Sequence, residues 1–387
     1  MKIVSFRRAD SFVSSKIVSS RHPEGFELYF EFSGAEPAGD GNWVVPAALL
    51  PAMVWGEEEL EIDAPVSATL LANLPAIQDL YQSWLPGAGR VAVHAAEAAG
   101  DSTPEAGAAR NSASFFSGGV DSLFTLIKNR ETLTHLILVH GFDVALCEEN
   151  YFRALRARAE NVAGAFRKRL IAARTNVREF YGQTHDQWTY YHGGVLAAIG
   201  LCLSDCLSAV LIGSTYSLAQ LHPWGSHPLI DPLWSTGALR VVHDGAEAAR
   251  MRKIEVIARE PAALRMLRVC GGQPDSEMNC GQCEKCLRTM IGLQLLGRLD
   301  ECPTFPHHID LRRIRRLDLT ESSLFWREFL GFPVDPSLRR TIESAVRAAE
   351  MGFGGDYGTW NSKARRTLAL TKHIRADLIA GLRMLGP

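Results

Sequence analysis

The segment Phe115-Phe116-Ser117-Gly118-Gly119-Val120-Asp121-Ser122 joins a short apolar run to a helical one. Glycine lets the backbone turn and come close to an anion without a Cβ clash. Exposed N–H groups at a helix start, together with the helix dipole, favour bound phosphate. Ser117 and Ser122 add hydroxyl donors, so Ser117, Gly118, Gly119, Val120, Asp121 and Ser122 together read as a phosphate cradle. Asp121 can cap the helix or hold Mg²⁺. The chain has no Gly-x4-Gly-Lys-Ser/Thr motif. A loop without that lysine suits a leaving pyrophosphate. An ordinary tight turn before a capped helix is the plainer alternative.

A second group is Cys270 followed by Cys280-Gly281-Gln282-Cys283-Glu284-Lys285-Cys286. Three cysteines at Cys-x2-Cys-x2-Cys spacing plus one upstream can close a tetrahedral thiolate site. Structural Zn²⁺ is the first choice, because zinc accepts four thiolates and needs no redox partner. An iron–sulfur cluster and free buried thiols are the alternatives. With all four positions taken by protein, such a site has no open position for catalysis.

The elements around these groups indicate an α/β protein with a doubly wound, mainly parallel sheet. Phe26, Leu28, Phe30 and Phe32 alternate with polar neighbours and predict a strand. Residues 66–85 read as a helix and 90–94 as a strand. Residues 1–96 thus form an N-terminal β-containing unit. Residues 97–112, rich in Ala, Gly, Pro and Ser, read as a linker. From 113 to 297 strands and helices alternate: strands at 113–116, 133–139, 176–180 and 209–213, helices at 121–129, 150–170, 193–207 and 287–296. That alternation predicts a parallel sheet covered on both faces. Residues 298–387 turn helical, with candidates at 323–329, 336–351 and 362–385 and a Gly-rich break at 352–358.

Composition narrows the function classes. Of 387 residues, 47% are hydrophobic, and 41 Lys and Arg balance 43 Asp and Glu. A formal charge of −2 gives no global reason to expect nucleic-acid binding. The Arg312, Arg313, Arg315 and Arg316 patch leaves RNA as a less favoured partner. No apolar run is long enough to span a bilayer. Residues 1–10 lack the apolar stretch of a signal peptide, so a cytoplasmic location is expected. In that compartment eight cysteines favour free thiols or metal over disulfides.

The 117–122 segment resembles the signature of the PP-loop ATP pyrophosphatase superfamily. The Cys-Gly-x-Cys-x-x-Cys core, with Arg288 just after it, is similar to the 7-cyano-7-deazaguanine synthase branch. The resemblance covers roughly residues 112–297, about half of the chain. It implies ATP cleavage to AMP and pyrophosphate, with a carboxylate or amide activated as an adenylate for nitrogen insertion. It also implies that Val139, His140 and Gly141 lie near the adenine and that Lys253 acts near the phosphates as a catalytic group with Asp121. The match departs at His222–Leu233, where that branch recognises its purine-like acid.

Three further positions are substrate or cofactor candidates. Gly213 and Ser214 follow an apolar strand and can line the cleft, or form a simple turn. The 222–233 loop can bind a planar or acidic substrate, with Asp231 orienting it and His227 as a base, or be a rigid surface loop. His192 follows Trp188, Tyr190 and Tyr191, aromatics that can flank a ring or simply pack. The expected partners are ATP and an acid or amide, either a small molecule or a protein terminus, with no membrane. A tRNA-modifying sulfur transferase and a non-catalytic nucleotide-binding module are the other functional readings. Oligomeric state is not legible.

Overall fold

Apolar residues alternate through the central strands as a sheet covered on both faces requires. Ile137, Val210 and Ile212 enter one core, and Leu136, Leu138 and Leu211 enter another. The computed structural model describes residues 1–98, 111–182, 185–271 and 279–351. Its N-terminal part holds β1 (Lys2–Ala9), β2 (Phe12–Val18), β3 (Phe26–Ser33), α1 (Val44–Trp55), β4 (Glu59–Val66), α2 (Ala68–Trp84) and β5 (Ala92–Glu97). Next come β6 (Ser112–Phe115), α3 (Val120–Lys128), β7 (His135–His140), α4 (Glu149–Ala165) and β8 (Arg169–Thr175). They are followed by α5 (Val177–Tyr181), α6 (His185–Cys202), β9 (Ala209–Gly213), β10 (Arg240–Asp244) and α7 (Arg250–Ala258). The remaining helices are α8 (Pro261–Leu264), α9 (Glu284–Leu295), α10 (Leu311–Ile314), α11 (Ser323–Phe329) and α12 (Pro336–Glu350).

The ten strands of the described residues form one mostly parallel sheet, in the order β10-β9-β6-β7-β8-β3-β2-β1-β4-β5. The pairings from β10 through β8 are parallel. Those of β8–β3, β3–β2 and β2–β1 are antiparallel, and β1–β4 and β4–β5 are parallel again. The β-containing N-terminal part is therefore hydrogen-bonded into the same sheet as the 113–297 segment, through Phe30–Ser33 against Ala172–Thr175. Helices α1 and α6 cover one face, and α3, α4, α7 and α9 the other. Trp326, Phe329, Leu338 and Ile342 of α11 and α12 join the second core.

Chain order reverses between β6 and β9. The sheet runs β6, β7, β8 in one direction and β9, β10 in the other. A reversal of this kind opens a crevice at the carboxyl ends of the two central strands, the usual ligand position in open α/β sheets.

Two sequence expectations are corrected. The helix expected over 150–170 ends at Ala165, and Arg167 adopts a left-handed conformation (φ 57°) that turns the chain into β8. Residues expected as a strand at 176–180 form α5 instead. The run Leu170-Ile171-Ala172-Ala173 fits either state, and pairing with β7 on one side and β3 on the other selects strand. The expected helix at 362–385, the break at 352–358 and most of the linker lie outside the described residues. Among the described residues, no helix is long and apolar enough to cross a membrane.

Candidate functional site

The glycine loop leaves β6 at the switch point. Phe116 N–H still donates to the Ile137 carbonyl (2.8 Å), and the chain then turns at Gly118 (φ +76°). A Cβ on Gly118 would lie 3.2 Å from the Met266 carbonyl oxygen, and Arg268 N–H donates to the Gly118 carbonyl (2.8 Å). Residues 266–268 thus back the loop. Gly119 caps α3 without a side chain. Ser122 Oγ accepts from Ser117 N–H (3.3 Å) and donates to the Gly119 carbonyl (3.1 Å). Ser117 Oγ accepts from Gly119 N–H (3.3 Å). Both hydroxyls therefore shape the loop.

Asp121 sits in the first turn of α3 and does not cap it. Its Oδ1 accepts from Lys253 Nζ (3.0 Å) and pairs with Arg250 Nη1 (3.1 Å), both on α7. Burial pushes the Asp121 carboxyl up, but the two cations outweigh it and hold the carboxyl below its usual range. Lys253 is only 1% exposed, and its ammonium also donates to the Ser214 carbonyl. Burial drives the Lys253 pKa down, Asp121 opposes it and Arg250 adds to it, leaving the value below that of an ordinary lysine.

A third cation completes the cluster. Arg288 of α9 is buried, its guanidinium 4.2 Å from the centre of the Phe325 ring. Burial pushes its pKa down to about 10, with Glu284 acting against the shift. Its Nε forms an ion pair with Glu284 at 3.4 Å, and neither Nε nor Nη1 has a hydrogen-bond acceptor among the described residues. Arg250 Nε likewise has no acceptor among the described residues. Buried guanidinium N–H groups of this kind are costly without a partner and fit an anion.

The end of β9 closes the crevice. A Cβ on Gly213 would stand 3.1 Å from the Asp121 carbonyl oxygen, so glycine is what lets α3 press onto the strand. Ser214 is buried, with N–H donating to the Asp244 carbonyl (2.7 Å) and Oγ to the Tyr216 carbonyl (2.6 Å). At the end of β7, His140 stacks on Phe152 at 4.1 Å and its Nε2 bonds the Ala145 carbonyl (3.0 Å). Burial lowers its pKa. Gly141 (φ +100°) has the Thr175 carbonyl only 2.0 Å from where a Cβ would be. His140 and Gly141 thus build the turn beyond β7, the His140 ring through its stacking on Phe152 and its bond to Ala145.

The substrate candidates gather on the other face of the sheet. His192 contacts the Trp224 ring (5.8 Å) and its Nδ1 bonds the Trp188 carbonyl (3.2 Å), and burial lowers its pKa. His227 is buried against Trp84, its Nδ1 accepts from Leu229 N–H (3.1 Å), and burial lowers its pKa as well. Asp231 is fully buried and accepts from Ser226 Oγ (2.6 Å), His243 Nδ1 (2.7 Å) and His227 N–H (3.3 Å). The 222–233 loop is therefore fastened to β10 through these bonds.

The sulfurs of Cys270, Cys280, Cys283 and Cys286 lie within 4.8 Å of one another. The Cys280–Cys286 and Cys270–Cys283 separations are 3.7 and 3.9 Å. Zinc–thiolate bonds of about 2.3 Å give a tetrahedron with edges of about 3.8 Å, so the donor set can hold a metal such as zinc. Gln282 and Cys283 N–H groups point at Cys280 Sγ (3.4 and 3.3 Å). The Cys283 thiol is held below its ordinary range, chiefly by the Cys286 thiol donating to it. Gly281 (φ +67°) permits the turn, and Cys283 caps α9, whose next turn carries Arg288.

Sequence reasoning missed Arg250, Phe325 and Glu328, and it singled out His243-Asp244-Gly245 without giving His243 a role. Arg250 had a readable signal, since it lies three residues before Lys253 on one helix face. Glu328 accepts from the Met251 N–H (3.0 Å) at the start of α7, and nothing in its local sequence announces that role. The exposed Arg312, Arg313, Arg315 and Arg316 surround buried Ile314 near α10.

Together these features define an α/β protein with the buried cations Arg250, Lys253 and Arg288 clustered near Asp121 at the strand-order reversal, and four cysteines that could hold a metal at the start of the helix carrying Arg288. No protein-family model, curated protein or solved structure matches the chain.

Proposed function

We propose that the chain is an ATP-using enzyme of the PP-loop ATP pyrophosphatase type, similar to 7-cyano-7-deazaguanine synthase. It would cleave ATP to AMP and pyrophosphate and activate a carboxylate or amide as an adenylate for nitrogen insertion. The observation that carries this reading is buried Lys253, bridging Asp121 at the start of α3 and the Ser214 carbonyl at the end of β9. A buried ammonium behind a glycine loop at a helix start offsets charge that develops on a departing pyrophosphate. The unpaired N–H groups of Arg250 and Arg288 supply further donors for phosphate oxygens.

Asp121 orients the two α7 cations. Because its Oδ1 already serves both, the Mg²⁺ that accompanies ATP would compete with them for that oxygen. Zinc in the four-cysteine site would be structural, fixing the start of α9 and so the position of Arg288. ATP–pyrophosphate exchange with Mg²⁺ and a pool of cell metabolites tests the reading. Exchange that needs the pool and disappears in Asp121→Ala supports reversible adenylation. ATP turnover to ADP and phosphate alone overturns it.

A further inference from the structure

Buried Asp231 and the buried His243 side chain, with half-buried Ser226, form a polar group that the phosphate chemistry does not use. Asp231 is 0% exposed and the His243 side chain 3%. Asp231 Oδ2 takes both the Ser226 hydroxyl (2.6 Å) and His243 Nδ1 (2.7 Å). Ser226 stands on the Nδ1 side of the ring, 3.3 Å from that nitrogen. Serine in this position is not a nucleophile activated by the histidine, because activation requires its hydroxyl at the far nitrogen. A carboxylate that accepts from Nδ1 fixes the proton there and leaves Nε2 with its lone pair. That Nε2 is buried and has no partner among the described residues.

The strand register says what lies next to it. Asp244 pairs with Gly213, and Ser214 N–H donates to the Asp244 carbonyl. Asp244 faces α3, where Lys128 Nζ (3.0 Å) and Asn129 Nδ2 (3.1 Å) hold it. Its neighbour His243 points to the opposite face of the same sheet edge. The Ser214 carbonyl at that edge is the acceptor of Lys253. The phosphate-side cations and the His243 imidazole thus flank one edge from its two faces.

We infer that His243, oriented by Asp231, is the general base for the second half-reaction, the attack of an amine on the adenylated substrate. This rests on the adenylation reading. The amine nitrogen forms a bond to the acyl carbon, and its surplus proton passes to His243 Nε2. The bond from that carbon to the AMP oxygen breaks, and the electron pair leaves with AMP. Asp231 is a positioning residue that keeps the imidazole in the required tautomer and stabilises it once protonated. Ser226 secures the carboxylate.

The experiment separates the two half-reactions in the full chain. ATP–pyrophosphate exchange, measured with a cell metabolite pool, reports adenylation. AMP release on adding ammonia or hydroxylamine reports attack. His243→Gln should slow nucleophile-dependent AMP release about 10²-fold or more relative to its own exchange rate, the usual contribution of a general base. Asp231→Asn should slow the same step with unchanged KM for ATP. Its exchange activity shows that the fold survives. Exchange intact and AMP release at wild-type rates in His243→Gln overturns the inference alone. Exchange absent in the wild-type protein overturns the adenylation reading and this inference with it. Exchange lost in His243→Gln while circular dichroism is unchanged assigns the dyad to the first half-reaction, and also overturns it.

Discussion

Replacing Asp121 with alanine strips Lys253 of its one carboxylate bond among the described residues and leaves an ammonium that is 1% exposed hydrogen-bonded to the Ser214 carbonyl. Removing one partner of a buried pair costs about 3–5 kcal/mol, because the other charge is left uncompensated. A quarter of the Asp121 side chain meets solvent, which points to the lower end, about 3 kcal/mol. Lys253→Met is the contrasting change. It removes the buried charge, fills the space with a flexible apolar chain, and leaves Asp121 paired with Arg250 at 3.1 Å. Its cost is expected to stay under about 2 kcal/mol. The two variants also differ in pH response. Lys253 in the folded protein titrates below the ordinary value of 10.5, chiefly through burial, so the unfolded chain binds its proton more readily. Stability therefore rises with pH between the folded value and 10.5, and the penalty is full below the folded value. Losing Asp121 deepens the depression and widens that window. Urea unfolding in neutral and in mildly alkaline buffer should show Asp121→Ala regaining part of its loss at the higher pH, with Lys253→Met unresponsive. Equal costs for the two variants, or a pH-independent loss in Asp121→Ala, would refute the buried-cation account.

Metal analysis is expected to find one zinc per chain, with Cys286→Ser losing it and unfolding at lower temperature. Phe325→Ala removes a buried ring from Tyr216 (5.2 Å) and Arg288. It should cost about 3–5 kcal/mol in urea unfolding and weaken ATP binding by calorimetry. Gly193→Ala puts a Cβ 1.8 Å from the Gly225 carbonyl oxygen and must push the 222–228 loop off α6. A loss of about 1–3 kcal/mol in thermal unfolding is expected, and wild-type stability would mean that the loop packs elsewhere.

Local chemistry was legible where the signal was local. The Ser117–Ser122 turn and the cysteine quartet each lie within a short stretch, and the structure gathers each into one cluster. Strands β3, β6, β7 and β9 declared themselves by alternation or short apolar runs. Helix α1 did not, because it is apolar on nearly every side and carries Pro46 and Pro51. Strand β10 is five residues with polar His243 and Asp244 at its end. The crevice was harder still. Arg250 and Lys253 on α7, Arg288 on α9 and Phe325 on α11 meet Asp121 only through packing of distant helices, which no short window of sequence contains. The same holds for the pairing of β3 with β8, which no composition shift near residue 97 could foretell.

That pairing has a consequence for how the chain must fold. Without β3, strand β8 would end the parallel array with a free row of backbone N–H and C=O groups, the kind of edge that recruits other chains. Residues 26–33 supply the missing partner only after a long excursion of the polypeptide. Contacts so far apart in sequence are slow to form. A chain trimmed to residues 111–351 would keep the crevice residues and the cysteines yet expose that edge, and is expected to associate through it. Residues 26–33 thus cover β8 and pass that open edge of the sheet on to β5, a mostly exposed strand paired on one side only among the described residues.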